Sequence, residues 1–169
     1  MILKDVYKKY YIELYKFGYQ LGLSEEESKD IVQDVFLKLN QALKNDQADI
    51  KNVKAWLYRV TYRDSISFQK RKENRRKINS EISTHNLYMD MTEQDHKSDT
   101  EERRKILQEE LTLLAERERI VLLLQFDNLS YQEISEVLGM NINSVGSLIS
   151  RSRSKLIKNI KMKYHELFK

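Results

Sequence analysis

A chain of 169 residues with no proline, and glycine only at positions 18, 22, 139 and 146, has few means of turning sharply. Strands joined by tight turns are therefore disfavoured along its whole length, and long helices separated by a few breaks remain. Cysteine is also absent, which removes disulfides, thiol nucleophiles, redox switches and thiolate metal sites together. Charged residues make up 33% of the chain, and the longest unbroken apolar run is Ile120–Leu124. A bilayer-spanning helix needs roughly 20 apolar residues, so direct membrane insertion is not expected. Met1–Lys9 carries Lys4, Asp5, Lys8 and Lys9 with no apolar core behind them, and no secretory signal is expected there. The expectation is a nearly all-α cytoplasmic protein of one or two small domains.

A net charge of +4 conceals a strong pattern. Residues 54–77 hold nine Lys and Arg against Asp64 and Glu73, and residues 146–169 hold seven against Glu166. Between them, residues 80–102 hold seven acids against Lys97. Two basic blocks separated by an acidic stretch rich in Ser, Thr and Asn fit two modules that each meet a polyanion, joined by a tether.

The first module reads as three helices. Leu3, Tyr7, Tyr10, Leu14, Phe17 and Leu21 recur at spacings of four and three, which makes one helix stripe that Gly22 should end. Ser24 and Glu27 form a capping-box pair that opens a second helix, with Val32, Val35, Phe36, Leu39 and Leu43 as its buried stripe. A second face of that helix carries Asp30, Gln33, Asp34 and Leu37, a pattern that solvent exposure alone would also produce. A third helix is predicted from about Asn52 to the mid-70s, with Val53, Trp56, Leu57 and Val60 as its apolar side. Beyond Phe68 it is almost wholly polar and basic, so its tail should be held by something other than the protein's own core, or fray. From Ser80 to about Asp99 no period is sustained, as in a linker. His85, Asp90, Asp95 and His96 within it match no standard metal-ligand spacing, and no cofactor is expected.

The second module is more specific. Ser98 and Glu101 make another capping-box pair, and Ile106, Leu107, Leu111 and Leu114 form the stripe that follows. Ile120, Val121, Leu123, Leu124 and Phe126 continue the apolar pattern. Ser130 and Glu133 open a short helix over Tyr131–Leu138, Gly139 ends it, and Asn141 caps a long final helix. Two helices around Gly139-Met140-Asn141 have the helix-turn-helix layout. Ile134, Ser135 and Leu138 are the packing points of the first helix, with a small residue where the helices cross. Met140, Val145 and either Leu148 or Ile149 are those of the second. An ordinary helical hairpin would share the layout, but all these offsets together favour DNA binding.

Four stretches also resemble a known family. Ser28-Lys-Asp-Ile-Val-Gln-Asp-Val-Phe-Leu-Lys-Leu39, Val53-Lys-Ala-Trp-Leu-Tyr-Arg-Val60, and Leu129-Ser-Tyr-Gln-Glu-Ile134 with Ser150-Arg-Ser-Arg-Ser-Lys-Leu156 are similar to bacterial sigma-70-family RNA polymerase sigma factors of the small extracytoplasmic-function type. The resemblance implies an all-α fold of two small helical domains: residues 1–78 as sigma region 2, 79–100 as a flexible acidic linker, and 101–169 as sigma region 4. It implies that Asp30, Gln33, Asp34 and Leu37 dock on the clamp helices of the largest subunit of core RNA polymerase, and that Leu123 and Phe126 meet the beta flap. Lys54, Trp56, Arg59, Tyr62, Arg63, Lys70 and Arg71 would melt and hold the −10 promoter element. Simple core packing is the competing role for Trp56, which shares a stripe with Val53 and Val60, and for Leu123 and Phe126. Ser130, Tyr131, Asn143, Ser144, Ser147 and Ser150 would face the −35 element, with Arg151, Arg153 and Lys155 on phosphates. The linker would thread the RNA-exit path, and an anti-sigma protein is an implied further partner.

The chain departs from the family pattern at several positions. Arg63 stands where Asn is usual, Ser67 where Asp is usual, and Ala115 where a proline precedes the region 4 helices. Gly146 and Leu148 replace basic residues in the recognition helix, which shifts −35 reading to Asn143, Ser147 and Arg151 or to DNA shape. No nucleophile–base pair, phosphate-cradling glycine loop or ligand cluster points to an enzyme. A helix-turn-helix regulator that binds DNA unaided is the alternative. It would ordinarily need a dimerisation segment, and none is evident.

Overall fold

The computed structural model describes residues 3–44, 50–79 and 99–164. They form seven helices: α1 (Leu3–Gln20), α2 (Glu25–Lys44), α3 (Val53–Asn79), α4 (Asp99–Thr112), α5 (Glu116–Phe126), α6 (Tyr131–Leu138) and α7 (Ile142–Lys163). No strand occurs among the described residues. The chain divides into two compact units, one built on α1–α3 and the other on α4, α5, the start of α6, and α7. The predicted linker, with His85, Asp90, Asp95 and His96, lies outside the described residues, as does the Ser98 cap.

In the first unit the three helices pack around Leu14, Phe17, Val32, Val35, Leu39, Leu57 and Tyr58, all fully buried. Burying each such side chain contributes about 1.5–3 kcal/mol. The stripe predicted for α1 is right at Leu14, Phe17 and Leu21 but wrong at its start. Val6 is buried there, while Tyr7 is exposed, stacks on Tyr11 with ring centroids 4.9 Å apart, and meets Phe36 in a tilted pair at 4.8 Å. Leu43 is also exposed, because α2 ends at Lys44, one residue later.

Of the apolar side predicted for α3, only Leu57 faces the core fully. Ala55, Leu57, Tyr58, Thr61 and Ser65 are buried, whereas Val53, Trp56 and Val60 are only half-buried. A small or hydroxyl residue every three or four positions lets α3 approach its neighbours closely, and apolarity alone had pointed to the other face. The polar tail is anchored within the protein as well. The Gln69 side-chain amide donates to the Leu21 carbonyl at 2.6 Å, and Lys72 pairs with Glu27 at 2.5 Å. Glu27 is shared: its other oxygen accepts the Ser24 amide in the capping box that opens α2. Partial burial pushes this carboxyl up, but Lys72 and the Ser24 amide outweigh it and hold Glu27 below the ordinary carboxylate value.

In the second unit, Ile106, Leu111, Leu114, all five residues Ile120–Leu124, and Val145, Ile149 and Leu156 form the core. Glu110 is buried among them at 1% exposure and is paired with Lys163 at 3.0 Å, which ties the end of α7 to α4.

Three helices end in one device: a left-handed residue followed by an apolar one whose amide bonds the carbonyl five residues back. Gly22 (φ +100°) precedes Leu23, which donates to Gly18; Asn128 (φ 56°) precedes Leu129, which donates to Leu124. Gly139 (φ 59°) precedes Met140, which donates to Ser135. This is the Schellman arrangement, and the apolar residue folds back over the helix end it closes.

Candidate functional site

The exposed side of α2 carries Asp30, Gln33, Asp34 and Leu37, opposite a buried stripe of Ser28, Ile31, Val32, Val35, Phe36 and Leu39. Leu37 is 58% exposed, an apolar residue among polar ones that the fold does not cover. Lys38, next to it, reaches across to Asp64 of α3 at 2.6 Å.

The face of α3 turned from the core carries Trp56, Arg59, Val60, Arg63, Ser67 and Lys70. Spacings of three and four keep these residues in one row. Arg59, Arg63 and Lys70 are exposed and Trp56 is half-buried. The core packs against the other side, so Trp56 stands with the cations and not in the stripe that would have made it a core residue. Tyr62 lies on the flank of this row, half-buried. Arg71 is exposed and donates to the Ser67 carbonyl at 3.3 Å. Lys54 is the exception, because it sits over the Tyr58 ring on the core-facing side, 6.0 Å from the centroid.

In the second unit, α6 is held at both ends. The Ser130 hydroxyl accepts the Glu133 amide at 3.2 Å, and Glu133 accepts the Ser130 amide at 2.8 Å. Ser130 is thus engaged in the capping box expected of it, so its hydroxyl is already used where the DNA-contact set also placed it. Asn141 caps α7 through the Asn143 amide at 2.9 Å. Val145, Ile149 and Ser152 bury one side of α7, and Ile149 takes the packing role left open between Leu148 and Ile149. Asn143, Ser144, Ser147, Ser150 and Arg151 are exposed on the other side.

The predicted phosphate grips are partly occupied. Lys155 pairs with Glu118 at 2.7 Å, and Arg153 donates to Gln125 at 3.0 Å. The Lys155 ammonium holds the Glu118 carboxyl below its ordinary value, and the Ala115 amide adds to that effect. A proline at 115 would lack this N–H, which donates to Glu118 at 3.1 Å, so alanine there gains a bond. Leu123 is 2% exposed and belongs to the core, which corrects its placement on a docking surface; Phe126, three residues on, is 51% exposed.

Among the described residues no group of three or more His, Cys, Asp or Glu stands close enough to hold a metal ion, and no helix is long and apolar enough to cross a membrane.

Residues 6–76 match the family described as "Sigma-70 region 2", and residues 104–156 match "Sigma-70, region 4". RNA polymerase sigma factor SigZ of Bacillus subtilis (strain 168) is 30% identical over 128 residues, which cover 75% of this chain and 69% of that protein. The chain belongs to the sigma-70 family, in its extracytoplasmic-function branch. RNA polymerase sigma factor YlaC of the same organism is 28% identical over 94% of this chain and 91% of its own length. ECF RNA polymerase sigma factor SigW is 26% identical over 93% and 86%. Two solved structures share the fold at a TM-score of 0.68. The sigma factor RpoE, crystallised with the anti-sigma factor NepR from Bartonella quintana, is 23% identical over 94% of this chain and 98% of its own. CnrH, in complex with the cytosolic domain of CnrY, is 19% identical over 95% and 88%. This sigma factor therefore binds RNA polymerase and directs promoter-specific transcription initiation. The region 2 match lies within the first unit, and the region 4 match lies within the second apart from residues 136–138.

Proposed function

We propose that the sigma factor divides promoter work between its two basic helices. The outer row of α3 opens and holds the −10 element, and the exposed side of α7 reads the −35 element. The observation that carries this reading is the row Trp56, Arg59, Arg63 and Lys70 on the side of α3 away from the core. Strand opening needs an unpaired base to be held outside the stack. Aromatic faces do this at about 1–3 kcal/mol per base, while cations hold the phosphates. In α7 short polar side chains face outward, with Arg151 beside them, which suits base edges and phosphates in a major groove.

The α2 face of Asp30, Gln33, Asp34 and Leu37 is the proposed docking surface for the clamp helices of the largest polymerase subunit; polar groups around one apolar anchor suit a transient interface. Phe126 is proposed to meet the beta flap, with Leu123 supporting it from the core. The acidic segment between the units is proposed to follow the RNA-exit path, where carboxylates stand in for phosphates. A restraining anti-sigma protein is part of the proposal. With no cysteine in the chain, any thiol-based sensing would sit in that partner.

Run-off transcription of fragmented genomic DNA from the same organism, by core polymerase with and without this chain, is the test. Discrete new start sites that need the chain, with two shared upstream motifs, are expected. Binding of particular fragments without polymerase, and no new starts, would overturn the reading in favour of a regulator that acts alone.

A further inference from the structure

Gly146 lies among the outward-facing residues of α7, where a side chain would be expected to read DNA, yet the space beside it is filled from another helix. A Cβ on Gly146 would stand 3.2 Å from Cε2 of Tyr131, and 3.9 Å from both its Cζ and its hydroxyl oxygen. The phenol end of Tyr131 thus lies on the α7 backbone at the one position in this part of the helix that lacks a side chain. Tyr131 is the first residue of α6, so the capping box of Ser130 and Glu133 fixes where its ring begins. Tyr131 as a whole is 49% exposed, so the contact with α7 leaves it open to solvent. Asn143 and Ser150, three residues before and four after Gly146, share this side of α7 and are exposed.

The geometry points to Tyr131 as a specificity-determining residue that stands in for the missing side chain at 146: its ring meets the C5-methyl group of a thymine in the −35 element. This rests on the reading of α7 as the −35 helix. In the major groove thymine presents a carbonyl acceptor and a methyl group, and apolar contact with that methyl distinguishes it from the other bases. A lysine or arginine at 146 would favour guanine. A neutral aromatic edge in its place favours an A·T pair on this flank of the site. The ring also loses little freedom on binding, because it has only two rotatable side-chain bonds. A Cβ at 146 would lie 3.2 Å from the ring, tighter than ordinary contact, so even alanine needs the ring to give by a few tenths of an ångström, and a long side chain there would compete with it for the same space.

Replacing each −35 thymine by uracil removes the methyl alone, and binding of core polymerase carrying the full-length sigma factor to such promoters tests the inference. At one position the wild type should lose about threefold to fivefold on uracil substitution, the effect of burying one methyl group. Tyr131→Ala should be indifferent to that change, Tyr131→Phe should keep the sensitivity, and Gly146→Lys should lose it. An identical uracil profile for wild type and Tyr131→Ala would overturn the inference. So would a Tyr131→Phe variant that loses as much as Tyr131→Ala on every template, because the hydroxyl would then be gripping a phosphate. Arg151→Ala separates the two levels of the argument. If neither it nor scrambling the −35 element affects binding, the assignment of α7 to that element has failed, and the inference fails with it.

Discussion

The two basic helices of this sigma factor carry similar charge and are held in opposite ways. Along α7, Val145, Ile149, Ser152 and Leu156 bury one side at regular intervals, and its cations are tied laterally by Gln125, Glu118 and Glu110. Among the described side chains of α3 the last buried one is Ser65, and the basic tail beyond it is anchored by Gln69 to the Leu21 carbonyl and by Lys72 to Glu27. Packing resists displacement in every direction, whereas two polar contacts permit adjustment at modest cost. A helix that reads a closed duplex gains from the first arrangement. A helix that follows DNA as its strands separate gains from the second.

The sharpest way to break this comparison is to remove cations from the outer row of α3. Arg59→Ala with Arg63→Ala should lower promoter opening by at least about 100-fold, equivalent to ~3 kcal/mol of lost strand contacts. Reactivity of unpaired −10 thymines would report it, and polymerase binding should survive. An equal loss of polymerase binding would show that α3 is itself a docking element. The converse experiment is charge reversal on α2. Asp30→Lys with Asp34→Lys should weaken binding to core polymerase about tenfold or more, seen by fluorescence titration, with shallower salt dependence, because salt screens the attraction that the wild type has and the variant lacks. Promoter opening at saturating sigma factor should be nearly normal.

A third prediction concerns the second unit alone. Ser130→Ala removes one partner of the α6 capping box and should cost about 1 kcal/mol. Calorimetry should place the melting transition of that unit about 4–8 °C lower and leave that of the first unit in place. A shift of both transitions would show that the two units melt as one. The smallest effect is the acid response of the first unit. Glu27 is held below its ordinary pKa, so its contribution is fully present above the unfolded value of about 4.3 and is lost as pH falls through the lower folded value. Stability of the first unit should decline through that window, and Glu27→Gln should flatten the decline. An unchanged profile in the variant would place the acid sensitivity elsewhere.

Helix boundaries were legible wherever a local rule set them. Ser24 with Glu27, Ser130 with Glu133, Gly22, Gly139 and Asn141 all act as their neighbours along the chain predict, because capping involves atoms only two to five residues apart. Asn128 escaped notice since asparagine adopts the left-handed conformation only when its surroundings favour it. The rotation of α3 was misjudged for a different reason. Its buried side is marked by Ala55, Thr61 and Ser65, which fit against neighbouring helices by being small, and a search for large apolar residues selects Trp56 and Val60 instead.

The sequence by itself determined the class of fold, the helix-turn-helix and the family, since these follow from patterns repeated every three to seven residues and from motifs read in order. Tertiary structure decided which side of α3 faces outward, that Leu123 is core and Phe126 is surface, and that Tyr131 occupies the space beside Gly146. It also decided the pairs Lys72–Glu27, 45 residues apart, and Lys163–Glu110, 53 residues apart. Contacts at such separations are fixed by how helices cross, and crossing depends on the volumes of residues from several segments at once. No single stretch of the chain contains that information.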